Sequence, residues 1–241
     1  MSGHSKWNNI KHKKEKSDAQ KAKIFTKIGR EIAVAVRDGG PDPAGNSKLK
    51  DIIAKAKAAN VPNDNIERII KKASGDGDSA NYEECVYEGY GPNGIAVIVE
   101  TLTDNRNRTA GDLRHYFDKF GGNLGTNGSV SWMFDTKGMI IVAKGDDVDE
   151  DALMMDALDS GADDFNGEGD FYEISTDPND FHAVRDALEG KGYKFESASI
   201  EKIPQNTITL TDEHDILMME KLIENLEDND DVQEIYHNWE E

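Results

Sequence analysis

Apolar side chains recur with a helical period over the first 75 residues of the chain. One stripe predicts a helix that Ser17 or Asp18 caps and that the run Gly39-Gly40-Pro41 ends. Two further stripes predict helices over about 47–61 and 64–74. Three short amphipathic helices predict a small helical bundle.

The pattern changes after a linker rich in Gly and Asp at 75–79. The helical period is lost, and Cys85–Tyr90 and Ile95–Thr103, the second of which begins with a β-branched run, predict two strands. An amphipathic helix follows, and Ser129–Phe134 has the pattern of a third strand. These elements predict an incomplete sheet with one helix.

Residues 135–205 show a complete β-α-β-β-α-β succession, which is typical of a ferredoxin-like fold. Asp177 followed by Pro178 is a good start for its second helix. The predicted strands and helices are, in chain order, 139–143, 150–160, 163–166, 171–176, 178–188 and 193–203.

The last 36 residues predict a strand, a helix and a strand. This is too little to bury a core alone, so we expect the segment to complete the sheet that precedes the ferredoxin-like unit. The sequence therefore predicts an α+β protein: an N-terminal three-helix bundle plus two α/β domains, the ferredoxin-like one inserted in the other. The predicted domains are a basic helical domain (1–78), a discontinuous α/β domain (79–134 and 206–241) and the inserted domain (135–205).

Charge is distributed very unevenly along the chain, whose net charge is −20. Residues 1–75 hold 17 Lys/Arg and 8 Asp/Glu, whereas the remainder holds 11 and 40. Such asymmetry indicates a basic binding module on an acidic body. A single Cys85, the lack of a long apolar run and a polar start without an apolar h-region indicate a cytoplasmic protein.

The basic cluster at the N-terminus predicts nucleic-acid binding. Lysines at this density neutralise phosphates and gain affinity from counterion release. Trp7 lies among them and can stack on an exposed base. A solvated helix face is the simpler alternative, but it is less favoured against so acidic a background. The predicted binding residues here are Lys6, Trp7, Lys11, His12, Lys13, Lys14, Lys16, Lys21, Lys23, Lys27 and Arg30.

Two arginines, Arg106 and Arg108, fall in the first turn of the helix predicted after the second strand. Positive charge at a helix N-terminus opposes the helix dipole, so another use is indicated. Binding to RNA or to protein carboxylates is one interpretation, and pairing with Asp104 or Asp112 is the other.

Two Gly-rich runs have features of phosphate-binding loops. The G-x-G-x-x-G pattern over Gly89–Gly94 leads into a β-branched strand rather than a helix, so it predicts a hairpin turn and no dinucleotide. The run Gly121–Ser129 lacks the required Lys. It predicts either a helix end with a turn or a flexible loop whose free backbone amides approach a partner.

No catalytic constellation is indicated by the sequence. The six His residues are scattered, and the acidic clusters do not match the spacing of a calcium loop. We therefore expect a non-enzymatic protein with no cofactor, no metal, no small-molecule substrate and no membrane partner. A nuclease is the enzyme alternative.

Six motifs, spread over the whole chain, are specific when taken together. They are GHSKW (3–7), KIFTKI (23–28), YEGYGPNG (87–94), DNRNRT (104–109), GGNLGTNGSV (121–130) and DVQEIYHN (231–238). In these motifs the chain resembles the YebC family.

The resemblance implies three domains, with the ferredoxin-like one inserted in another α/β domain, and it implies no enzymatic activity. Members of the family are generally described as probable DNA-binding transcriptional regulators. Mitochondrial relatives are regarded as translational activators, and bacterial members have been linked to the ribosome. The family's functional residues carry over as the basic surface of the first domain and as Arg106 and Arg108.

The basic cluster favours a nucleic-acid backbone over base sequence as its target. Residues 1–30 hold eight Lys and one Arg. Lys is a compact charge suited to phosphates, whereas Arg reads guanine with two hydrogen bonds. The sequence therefore predicts binding to ribosomal RNA or the ribosome, with a sequence-specific DNA-binding transcription factor as the alternative.

Overall fold

The computed structural model describes residues 18–75, 81–145 and 147–240. The chain divides into two compact units. The first consists of residues up to Met133 together with those from Pro204 onward, and the second is Phe134–Ile203.

Three helices form a bundle at the start of the first unit, as the apolar periodicity predicts. They are α1 (Asp18–Gly39), α2 (Ser47–Ala58) and α3 (Asn63–Ala73). Ile32 and Leu49 are fully buried at the centre of the bundle core. Asn46 fixes the turn between α1 and α2, because its Oδ1 accepts from Leu49 N (3.0 Å) and its Nδ2 donates to Ala35 O (2.8 Å).

A four-stranded sheet follows the bundle in the first unit, and its strands lie side by side in the order β3 (Asn123–Leu124), β1 (Glu83–Tyr90), β2 (Ala96–Thr103) and β9 (Val232–His237). Two helices cover one face, and their contacts with the sheet build a core around Leu113, Phe117 and Leu222. The same unit contains a second, two-stranded sheet, in which β8 pairs with β10 in parallel. The elements are β1 (Glu83–Tyr90), β2 (Ala96–Thr103), α4 (Arg106–Lys119), β3 (Asn123–Leu124), β8 (Ile208–Thr209), α7 (Glu213–Asp228), β9 (Val232–His237) and β10 (Trp239–Glu240).

The second unit is the predicted ferredoxin-like fold. Its strands follow the order β5-β6-β4-β7. Both helices contribute to its core through Leu153 and Leu188, which pack with Ile140 and Ile174. The elements are β4 (Phe134–Ala143), α5 (Glu150–Asp159), β5 (Asp164–Asn166), β6 (Phe171–Thr176), α6 (Phe181–Gly190) and β7 (Ser197–Pro204). The fold class is thus confirmed, including the insertion of one α/β domain in the other.

The hairpin predicted at Gly89–Gly94 is present. Strands β1 and β2 are antiparallel, with Tyr90 opposite Ala96. Asn93 and Gly94 turn the chain with φ values of 52° and 79°. The run contains only the short 3-10 turn Pro92–Gly94 and no α-helix begins in it, so the dinucleotide-binding pattern lacks the helix N-terminus that would hold a pyrophosphate.

Two local predictions are wrong. Ser129–Phe134 is not a strand, since Ser131–Met133 forms a short 3-10 turn and β4 starts only at Phe134. Asp177-Pro178 does not start a helix, because the Asp177 carboxylate accepts from Asn179 N (2.8 Å) in a turn and α6 begins at Phe181. In both places a side chain captures backbone amides that the pattern assigned to a regular element.

We expect opposite effects when two glycines of the first unit are replaced by Ala. At Gly89 a Cβ would lie 2.7 Å from Asn123 O and 2.9 Å from Phe117 Cε1, so Gly89→Ala should destabilise the protein by about 1–3 kcal/mol. At Gly111, within α4, a Cβ meets nothing within 4 Å. Gly111→Ala should therefore stabilise by about 0.5–1 kcal/mol, and urea unfolding of the two variants measures both effects.

Candidate nucleic-acid interface

Most of the predicted binding residues at the N-terminus lie outside the described part of the chain. These are Lys6, Trp7, Lys11, His12, Lys13, Lys14 and Lys16. Lys21 belongs to α1, but its side chain also lies outside the description. The structure therefore places three members of the predicted cluster, Lys23, Lys27 and Arg30.

These three cations contact the acidic last turn of α7 and the turn that joins α7 to β9. Their spacing of four and three residues puts them on one face of α1. Lys23 Nζ lies 2.8 Å from Asp228 Oδ1, and Lys27 Nζ donates to Glu227 O (2.7 Å). Arg30 donates to Asp230 O (2.9 Å) and to the carboxylate of Asp231 (2.7 Å). Part of the predicted phosphate-binding surface is thus engaged within the chain.

Asp231 is the centre of this contact. Its side chain is only 5% exposed, and its two oxygens face two arginines. Oδ1 accepts from Arg30, whereas Oδ2 accepts from Arg108 (2.8 Å) and lies within hydrogen-bond distance of the Thr109 (2.8 Å) and Thr103 (3.1 Å) hydroxyls. Burial alone would raise the pKa of Asp231, but the hydrogen bonds from Arg108, Thr109 and Arg30 lower it. The carboxylate therefore joins the bundle, the start of α4 and the start of β9.

Further cations of the bundle hold the same sheet. Lys48 Nζ lies 2.5 Å from Glu84, and Lys55 Nζ lies 2.9 Å from both Glu31 and Glu234. Burial would lower the pKa of Lys55, but the charges of Glu234 and Glu31 raise it. Lys27 differs, because burial outweighs its acidic neighbours and lowers its pKa. The positive bundle and the acidic sheet thus share a charged interface within the first unit.

Of the two predicted arginines at the start of α4, one is engaged and one is exposed. Arg108 donates to Asp104 (2.8 Å) as well as to Asp231. Of the two interpretations of this arginine, the structure therefore shows the pairing with Asp104. The Arg106 side chain is 68% exposed and lies 3.9 Å from Glu83. Arg106 therefore remains available to a partner, whereas Arg108 is mainly a structural residue.

Three exposed lysines of the bundle were missed by the sequence analysis. Lys57 lies in the last turn of α2, and Lys71 and Lys72 lie in the last turn of α3. Within the described residues these side chains have no hydrogen-bond or ion-pair partner. Arg68, one turn before Lys72 on α3, donates only to Asn65 (2.8 Å) among the described residues. The spacing of Arg68, Lys71 and Lys72 on one helix face was the available signal.

A buried carboxylate also organises the Gly-rich run after α4. Glu88 of β1 is 5% exposed and accepts from three backbone amides, Gly128 (2.7 Å), Val130 (2.8 Å) and Ser131 (2.8 Å). Burial would raise the pKa of Glu88, but these bonds lower it. Within the run Gly121–Ser129, the amides of Gly122, Gly125, Gly128 and Ser129 all donate hydrogen bonds, so the hypothesis of free backbone amides is wrong for these residues. The run is a helix end followed by a short strand and a fixed turn.

Neither a cluster of metal ligands nor a membrane-spanning helix is present among the described residues. No group of three His, Cys, Asp or Glu side chains there is arranged to hold a metal ion. No helix in the same part of the chain is long and apolar enough to cross a membrane.

The architecture has two clear counterparts among known domains. A model of the TACO1/YebC N-terminal domain matches residues 5–76, and a model of the TACO1/YebC second and third domains matches residues 82–239. A helical bundle joined to a pair of α/β domains places the chain in the class of three-domain proteins that the two models describe. The chain is a member of the TACO1/YebC family, which confirms the resemblance.

Similar proteins span the whole chain. A probable transcriptional regulatory protein of Acetivibrio thermocellus is 67% identical, over 99% of each chain. Another of that description, from Ruminiclostridium cellulolyticum, is 64% identical over 100% of this chain and 97% of its own. The crystal structure of a conserved hypothetical protein from Aquifex aeolicus has a TM-score of 0.84 at 45% identity, covering 98% of this chain and 97% of that one.

We expect Asp231→Asn to be strongly destabilising. It removes the charge that two arginines share, and breaking a buried ion pair costs roughly 3–5 kcal/mol. Because folding lowers the pKa of Asp231, its contribution is complete above the unfolded-state pKa of about 3.9 and is lost as pH falls through the lower folded-state pKa. The difference between wild type and variant should therefore be constant from about pH 5 to 8 and shrink at pH 3.

Urea unfolding at several pH values measures this difference, and Asp230→Asn is the matched control. Asp230 is exposed and contributes its backbone oxygen to Arg30, so its substitution should change stability by less than about 0.5 kcal/mol. Equal losses in the two variants would contradict the role assigned to Asp231.

Proposed function

We propose that this protein is a non-enzymatic regulator of gene expression that binds nucleic acid through its N-terminal bundle, acting in translation on ribosomal RNA. The observation that carries the proposal is the concentration of cations in the bundle region, 17 Lys/Arg against 8 Asp/Glu. Some of these cations hold the acidic sheet, but Lys57, Lys71 and Lys72 are exposed without a partner among the described residues. Exposed, unpaired lysines are suited to phosphate contacts.

The composition of the cluster supports backbone binding rather than base recognition. Arg30 is the single Arg among residues 1–30, and its guanidinium is bound by Asp230 and Asp231. It is therefore not free to form the two-bond contact with guanine that base recognition favours. The other cations among residues 1–30 are all lysines, which carry little sequence information. The acidic remainder of the chain would also be repelled by a long duplex.

A sequence-specific DNA-binding transcription factor is the second candidate. The names of the relatives from Acetivibrio thermocellus and Ruminiclostridium cellulolyticum, probable transcriptional regulatory proteins, favour it. A nuclease is the third, and release of nucleotides from labelled RNA or DNA in the presence of magnesium would support it over both regulators.

Charge reversal tests the proposed surface in the full chain. We expect the quadruple variant Lys11→Glu, Lys13→Glu, Lys14→Glu, Lys16→Glu to weaken RNA binding at least tenfold, with little change in thermal stability. The double variant Lys71→Glu, Lys72→Glu should weaken it severalfold. The double variant Lys194→Glu, Lys221→Glu is the control, because it reverses two exposed lysines outside the bundle and changes the net charge as much as Lys71→Glu, Lys72→Glu does. An equal loss of affinity in this control would contradict the proposed surface.

The salt dependence and the competitor identify the target. For wild type we expect a slope of log affinity on log salt equivalent to roughly four to eight phosphates, and co-sedimentation with ribosomes at physiological salt. A defined duplex preferred about a thousandfold over random DNA would favour the transcription factor instead. Gel-shift competition separates the two outcomes.

A further inference from the structure

Trp132 is the most exposed large apolar side chain in the described part of the protein. Its relative exposure is 67%, whereas Trp239 is 3% exposed. Single exposed apolar residues are common, but an indole presents the largest flat surface of any side chain. Its surroundings therefore decide whether the exposure indicates a binding site.

The indole is held in place by hydrogen bonds. Trp132 Nε1 donates to Ser129 O (3.0 Å), and the Tyr90 hydroxyl donates to the same oxygen (3.0 Å). The backbone between these residues is fixed by Glu88, which binds the amides of Val130 and Ser131. The exposed ring is thus held by its own Nε1–H bond to Ser129 O, and the backbone that carries it is held by Tyr90 and by the buried carboxylate of Glu88. A ring fixed before binding loses little entropy when a ligand stacks on it.

The segment that carries Trp132 differs in charge from the rest of the acidic body. Residues 121–133 contain no charged side chain. Residues 105–133 hold four Lys/Arg and two Asp/Glu, whereas the rest of 76–241 holds 7 and 38. In the same uncharged run as Trp132, Thr126 and Asn127 have exposed polar side chains. This segment is therefore the part of the acidic body that repels a polyanion least.

We propose that Trp132 is a stacking platform for an unpaired base of a single-stranded nucleic acid. A fixed, exposed indole offers one face to a base, and stacking requires a base whose own face is uncovered, as in a loop or a single strand but not within a duplex. This site is separate from the cations of the bundle, and it rests on the proposed function only in taking nucleic acid as the partner.

The test uses the full chain labelled with fluorotryptophan and the single-stranded probe rA6. The chain has three Trp, so Trp→Phe variants assign each 19F resonance, and buried Trp239 is an internal reference. We expect the Trp132 resonance to shift saturably with rA6 and not with the matched rA6–rU6 duplex. Trp132→Ala should weaken rA6 binding roughly five- to thirtyfold with an unchanged salt slope.

Two variants separate stacking from a general structural effect. Trp132→Phe keeps an aromatic face and should retain rA6 affinity within about threefold. Leu217→Ala removes another exposed apolar side chain, 44% exposed on α7, and should change nothing. Glu88→Gln should weaken rA6 binding while Trp132 remains present, because it loosens the support of the ring.

Each outcome decides one proposal or both. If RNA binds but the Trp132 resonance is silent and Trp132→Ala binds rA6 normally, the platform is wrong and the basic surface stands. If the resonance shifts with rA6 while charge reversal in the bundle leaves RNA affinity unchanged, the platform stands and the basic surface is wrong. No binding of either kind overturns both, and a Trp132 response to short apolar peptides alone would assign the ring to a protein partner.

Discussion

The first unit depends on the burial of one negative charge, the carboxylate of Asp231. An unpaired carboxylate buried in this position would either be protonated or destabilise the folded state. Its hydrogen-bond partners must therefore be in place when the carboxylate is buried. Those partners come from α1, through Arg30, and from the start of α4, through Arg108 and Thr109. The position of the bundle against the sheet is therefore fixed by a charge that neither part could bury alone.

This constraint changes the meaning of the uneven charge distribution. Composition alone suggested a basic module displayed on an acidic body. In the structure, cations of α1 and α2 face the end of α7 and the sheet, where Lys23 meets Asp228 and Lys55 meets Glu234. Cations that composition alone assigned to phosphate thus attach the bundle to its own domain, and the proposed phosphate contacts fall to the exposed lysines that have no partner among the described residues.

Local patterns predicted most of the fold. The apolar stripes of the bundle helices, the Asn93-Gly94 turn and the ferredoxin-like succession all express interactions between residues close in sequence. The Ser129–Phe134 segment was assigned wrongly because its Val130 and Ser131 amides bind Glu88, which is far from them in sequence. The roles of Arg30 and Arg108 could not be predicted for the same reason, since their common partner Asp231 is near neither in sequence. The sequence shows where the cationic residues are, but it does not show which of them form ion pairs within the folded chain.

The join between the two units has a consequence for how the chain folds. Gln205 N donates to Met133 O (2.9 Å), so the chain returns to the first unit beside the point at which it left. Seen from the first unit, residues 134–203 are simply a closed loop. The free-energy cost of closing a loop, which comes from the entropy that the chain loses, grows only with the logarithm of the loop length. Each doubling adds about 0.6 kcal/mol. A loop that folds around its own core can therefore lengthen or shorten at little cost to the sheet that carries it.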